Sequence, residues 1–149
     1  MIINSIYALL ATFCFGILFN IRGKNLIFAA LGGGFGWFFL LIFQDKLNFS
    51  ITFSLITTSV LIGIYAEIMA RILKTPVTVF AICAILPLVP GNGMYYTMYE
   101  SVQGNASKSL SLGIQTLASA GAIATGIVLA SSTSKFINVK QSKKTSSTN

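Results

Sequence analysis

Leu86-Pro-Leu-Val-Pro-Gly-Asn-Gly-Met-Tyr-Tyr96, or LPLVPGNGMYY, closes an apolar run that begins at Val77. The fold turns on whether the chain crosses a membrane here or turns back. Pro87 removes a backbone donor inside the run. Pro90 followed by Gly91 stops a helix outright, because proline lacks an N–H and restricts the residue before it. The run Val77–Val89 is thus a helix of ~20 Å at 1.5 Å per residue, short of a hydrocarbon core of ~30 Å.

A membrane is the solvent that the composition demands. Of 149 residues, 54% are hydrophobic, 9% are charged and none is histidine. Soluble domains carry roughly 25% charged residues, and a small one has too little interior to hide so much apolar surface. Four further runs are each long enough to span, at roughly 17–25 residues: Ile3–Phe19, Leu26–Phe43, Phe49–Met69 and Leu110–Ala130. The first lacks the basic start and small-residue cleavage site of a signal peptide, and is expected to remain as a span. The expected fold is an all-α integral membrane protein of five transmembrane helices, the fourth short and interrupted by proline and glycine. Residues 1–133 form the membrane domain. Residues 134–149 form a basic, disordered cytoplasmic tail. No internal repeat is visible.

Charge gives the orientation. Arg22, Lys24, Arg71, Lys74, Lys135, Lys140, Lys143 and Lys144 fall on one side of a five-span chain, and only Lys46 and Lys108 on the other. The positive-inside rule then places the N-terminus outside and the C-terminus in the cytoplasm of a multi-pass cell-membrane protein. A re-entrant fourth run would move the tail outside and turn the balance to four against six, so the count favours a crossing. The net charge of +7 does not indicate nucleic acid. The basic residues sit singly between apolar runs and in the tail, without the clustered patch such partners need.

Chemistry is sparsely supplied. Cys14 and Cys83 lie alone in apolar runs, and with no histidine they make no metal or haem site, so neither metal nor cofactor is expected. No catalytic dyad or triad can be assembled from the scattered acids, and an enzyme is not expected. Glu67 lies four residues before Arg71, one helical turn away. The pair is either a proton-coupling carboxylate with its partner or a structural ion pair near the cytoplasmic boundary. Asp45 and Glu100 are expected to be solvated near the outer boundary. Gly32 and Gly36, and Ala118, Ala122 and Gly126, have the four-residue spacing that lets helices approach closely in lipid.

The opening stretch is the candidate site. Irregular backbone at membrane depth persists only where protein buries it or a wet cavity meets it, and interrupted helices hold substrate in many transporters. A short helix over Met94–Gln103 would turn its first amides back toward Pro87–Gly93, ready for a carboxylate. The alternative is a proline-terminated helix followed by an outer loop with interfacial tyrosines.

Two stretches carry a resemblance: FGILFNIRGKNLIFAALGGGFGW (Phe15–Trp37) and ILPLVPGNGMYYTMY (Ile85–Tyr99). With five expected spans in so short a chain, the sequence resembles the threonine/serine exporter family, in its small-subunit, YjjB-like half. The resemblance implies an inner-membrane exporter of small hydroxy amino acids or related organic acids. It further implies a larger companion subunit, a homo-oligomer, or both. Pro87, Pro90, Gly91 and either Tyr95 or Tyr96 would take the motif positions. Asn92 and Gly93 would complete the permeation site, with Glu67 and Arg71 as coupling candidates. The rival readings are a non-transporting assembly subunit and a passive channel.

Overall fold

The computed structural model describes the backbone of residues 1–146 and the side chains of residues 1–132. The tail expected from Ser134 onward lies outside the described side chains. The described elements are all helical: α1 (Ile2–Leu18), α2 (Lys24–Asp45), α3 (Ile51–Leu73), α4 (Val77–Ile85), a 3-10 turn (Leu86–Leu88), α5 (Gly91–Val102) and α6 (Ala106–Ser146).

Three helices are singly long and apolar enough to cross a membrane: α2, α3 and the Ala106–Ser132 part of α6. The segment Val77–Leu88 and α5 pass only as a pair, bent by 50° at the break, which raises the total to four. The fifth helix expected to span is α1, which is apolar but has 17 residues. The chain is therefore a multi-pass helical membrane protein with three to four spans on these criteria.

Small residues set the packing. On α1, Ala8, Thr12 and Gly16 are buried at four-residue spacing. A methyl on Gly33 would collide with the Thr12 side chain, and one on Gly34 would stand 3.0 Å from Leu9 Cβ. These pairs run in opposite order, so α1 and α2 are antiparallel. Gly32 faces Tyr65 of α3 and Gly36 faces Ile62, and the Tyr65 hydroxyl donates to the Phe28 carbonyl at 2.7 Å. α2 and α3 are likewise antiparallel. Gly32 also meets Ala84, and Gly36 meets Leu88, which makes α4 parallel to α2.

The last pairing decides the topology. Ser59 faces Gly126, and Gly63 faces Ala130. Both numbers rise together, so α6 runs parallel to α3. The chain leaves α3 at one end of the bundle and enters α6 at the other. The segment from α4 through α5 must bring it back, which is why the sequence breaks this helix without turning it around. Asn25 donates to the Thr75 hydroxyl at 3.1 Å, joining the α1–α2 turn to the α3–α4 turn. The end carrying Arg22, Lys24, Arg71 and Lys74 is therefore a single end.

Candidate functional site

The break follows from its residues. Pro87 offers no hydrogen to the Cys83 carbonyl, and the helix tightens into the 3-10 turn, with the Val89 N–H on the Leu86 carbonyl at 3.2 Å. Val89 is extended, at φ −57° and ψ 129°, as a residue before proline must be. The Gly91 N–H then donates to the Val89 carbonyl at 2.7 Å, and the Met94 N–H to the Pro90 carbonyl at 3.1 Å. α5 thus begins at Gly91, three residues earlier than the sequence suggests. Asn92 and Gly93 fall in its first turn, where amides lack helical acceptors.

The expected site residues do not converge. Pro87 lines an open surface groove of about 330 Å³ with Asn4, Tyr7, Ala8, Ala11 and Trp37. Pro90 lines another, of about 380 Å³, between α5 and α6, with Met94, Met98 and Leu117 on its walls. Gly93 packs on Thr116, while nothing stands close to Gly91. Tyr95 and Tyr96 point away from the core, 63% and 46% exposed. Their rings meet each other at 5.3 Å, and Tyr95 stacks on Tyr99 at 6.3 Å.

The two grooves differ in what they offer. Beside Pro90, the Thr97 and Thr116 hydroxyls are already donated to the Gly93 and Leu112 carbonyls, both at 2.7 Å. That groove is apolar in effect. Beside Pro87, Asn4 and Tyr7 bring polar groups, and the Trp37 indole nitrogen is buried without a hydrogen-bond partner. Buried polar atoms are nearly always paired. Among the described side chains Thr58 and Ser59 share this condition on α3.

Glu67 and Arg71 meet across one turn of α3 at 4.0 Å, but not at the break. Tyr65 ties that part of α3 to Phe28, whereas Leu88 packs near Gly36. Two helical turns of α2 separate them.

Glu100 corrects an expectation. It is 6% exposed rather than solvated. Gly104, at φ 80°, turns the chain through a conformation that suits glycine. α6 then folds back along α5, bringing Lys108 Nζ to 2.6 Å from Glu100 Oε1. Asn105 donates to the other carboxylate oxygen at 2.8 Å, and the Ser109 hydroxyl to the Thr97 carbonyl at 2.8 Å.

Gly32, Gly36, Ala122 and Gly126 are buried, while Ala118 stays exposed and the α6 contact continues to Ala130 instead. Asn4, Tyr7 and Trp37 were not singled out from sequence. The signal available was the one tryptophan, directly after the glycine run, and an asparagine inside the first apolar segment.

The structure is a multi-pass helical bundle with one apolar segment broken and bent between α4 and α5. The profile of the family described as Threonine/Serine exporter, ThrE, matches residues 4–133. The chain belongs to that family. A search of curated proteins and a search of solved structures return no match.

Proposed function

We propose that the chain is a five-span small subunit of a secondary exporter of threonine, serine or related organic acids. It works with a larger companion subunit, a second copy of itself, or both. The observation that carries this reading is the parallel course of α3 and α6, with the broken α4–α5 segment between them. With α1 counted as a span, this course leaves the N-terminus and the start of α6 on one side, and the distribution of lysine and arginine argues that this side is the outside. The permeation path runs along the break at Pro87–Gly93, where alternating access needs irregular backbone bordered by protein. Glu67, paired with Arg71 and two turns from the break, is the candidate for proton coupling.

A non-transporting assembly role is the second reading. It is favoured by the long exposed faces of α5 and α6, including Met98, Val102, Leu110 and Leu117, which suit a partner helix as well as lipid.

The deciding experiment is efflux of preloaded labelled threonine, serine and succinate. Cells express this chain, the companion, or both, at matched membrane abundance. Export that requires this chain supports the exporter reading. Export by the companion alone, with this chain changing only its abundance, leaves the assembly reading.

A further inference from the structure

The end of the bundle that carries Arg22, Lys24, Arg71 and Lys74 holds more positive charge than the fold neutralises. All four residues are exposed. Arg71 meets Glu67 at 4.0 Å, and Arg22 donates to the uncharged Asn20 side chain at 3.0 Å. Among the described residues no acid pairs with Lys24 or Lys74. The hydrogen bond from Asn25 to the Thr75 hydroxyl, at 3.1 Å, ties their immediate neighbours together. The two lysines therefore flank one junction between the α1–α2 and α3–α4 turns.

An apolar groove leads to these cations. It runs between α2 and α3, with a volume of about 260 Å³. The buried Gly32 and Gly36 lie at its base, and the exposed Phe35, Phe39, Ile64 and Ile68 at its sides. Its one polar lining residue is Tyr65, whose hydroxyl is already donated to the Phe28 carbonyl. Along α3 the face of Ile64 and Ile68 continues at helical spacing to Arg71. Along α2 the face of Gly36 and Gly32 continues through Phe28 to Lys24. From Phe39 to Lys24 is about 22 Å at 1.5 Å per residue, more than the ~15 Å half-thickness that one acyl chain occupies.

We propose that this groove holds one anionic phospholipid. Its phosphate lies between Lys24 and Lys74 with Arg71 beside it, and an acyl chain covers Gly32 and Gly36. Charge complementarity selects this occupant, because basic residues at a membrane surface each add to the binding of anionic lipid. A zwitterionic lipid or an apolar partner helix would fill the groove and leave the cations unmatched. The site does not depend on what the chain transports.

Full-length protein in a neutral detergent is titrated with dioleoyl phosphatidylglycerol or dioleoyl phosphatidylcholine, and bound lipid is counted by native mass spectrometry. One phosphatidylglycerol per chain is expected at saturation, with phosphatidylcholine weaker by about tenfold or more. Lys24→Gln and Lys74→Gly each raise the half-saturating concentration about fivefold, the share of one basic residue near a membrane surface. Both variants keep the fold. Lys24→Gln removes a cation from a helix N-terminus, where the dipole disfavours it, and Lys74→Gly suits the left-handed cap at φ 51°. Ile68→Trp keeps every charge but crowds the groove, and raises the same concentration. Lys46→Gln, at the opposite end of α2, leaves it unchanged.

Equal binding of the two lipids, or an equal effect of Lys46→Gln, means diffuse adsorption and overturns the site. So does Ile68→Trp without effect. Displacement of the lipid by millimolar inorganic phosphate makes the cations a free-anion site and refutes the assignment.

Discussion

Gly126 rests directly on Ser59: a methyl placed on it would stand 2.6 Å from the Ser59 Cβ and 2.7 Å from the Ile56 carbonyl oxygen. No real side chain fits there, because the second neighbour is backbone. Gly126→Ala is therefore expected to force α6 off α3 at a cost of about 1–3 kcal/mol, the usual range for overpacking. Gly121, on the same helix with nothing within 4 Å, is the control. Thermal unfolding in detergent should show a clear loss for Gly126→Ala and none for Gly121→Ala. Equal behaviour of the two would mean that the α3–α6 contact does not hold the bundle.

The Glu100–Lys108 pair closes the turn between α5 and α6, with Asn105 on the second oxygen. Removing one charge leaves the other without its partner, which costs more than removing both. Lys108→Met is expected to lower the unfolding temperature, and Glu100→Gln with Lys108→Met to recover part of the loss. A double variant no better than the single one would show that the pair is not coupled.

Topology can be read chemically. With Cys14 and Cys83 replaced by serine, single cysteines are introduced as Lys46→Cys, Lys74→Cys and Ser107→Cys. An impermeant maleimide should label positions 46 and 107 on intact cells, and position 74 only after permeabilisation. Labelling of 74 and 107 from the same side would mean that the broken segment turns back instead of crossing.

Pro90→Ala restores an N–H and relaxes the restriction on Val89, so the turn between the Leu86–Leu88 segment and α5 loses its cause. Efflux is expected to fall by about tenfold or more at unchanged membrane abundance, given that small displacements at a site cost on the order of 100-fold. Retained efflux would show that the bend is not part of the path.

Much of this was legible in the chain. Composition made lipid the solvent, and Pro87 and Pro90 marked the break to within a residue or two, because proline acts on the backbone locally. Gly32 and Gly36 lie buried where α2 meets its neighbours and Ala118 lies exposed, a difference that four-residue spacing alone cannot express because it continues along a helix after the partner has stopped. Glu100 was misread because its burial comes from Lys108 and Asn105 across a turn, which no periodicity reports. The Pro87 groove escaped notice because α1 and α2 supply it jointly, and a lone tryptophan in an apolar span otherwise passes as packing.

The uneven loyalties of α5 have a mechanical consequence. α5 packs chiefly on α6 and the segment before it on α2. The register of Ser59 with Gly126 and Gly63 with Ala130 sets Ile51 level with Ala118. About 17 Å of α6, at 1.5 Å per residue, consequently reaches past the start of α3, carrying α5 beside it. This pair is an outrigger, hinged at Val89 and Pro90 and latched at its tip by Glu100 and Lys108. Because α5 follows α6 while the segment before it stays on α2, any displacement of α6 relative to α2 would be taken up at Val89 and Pro90.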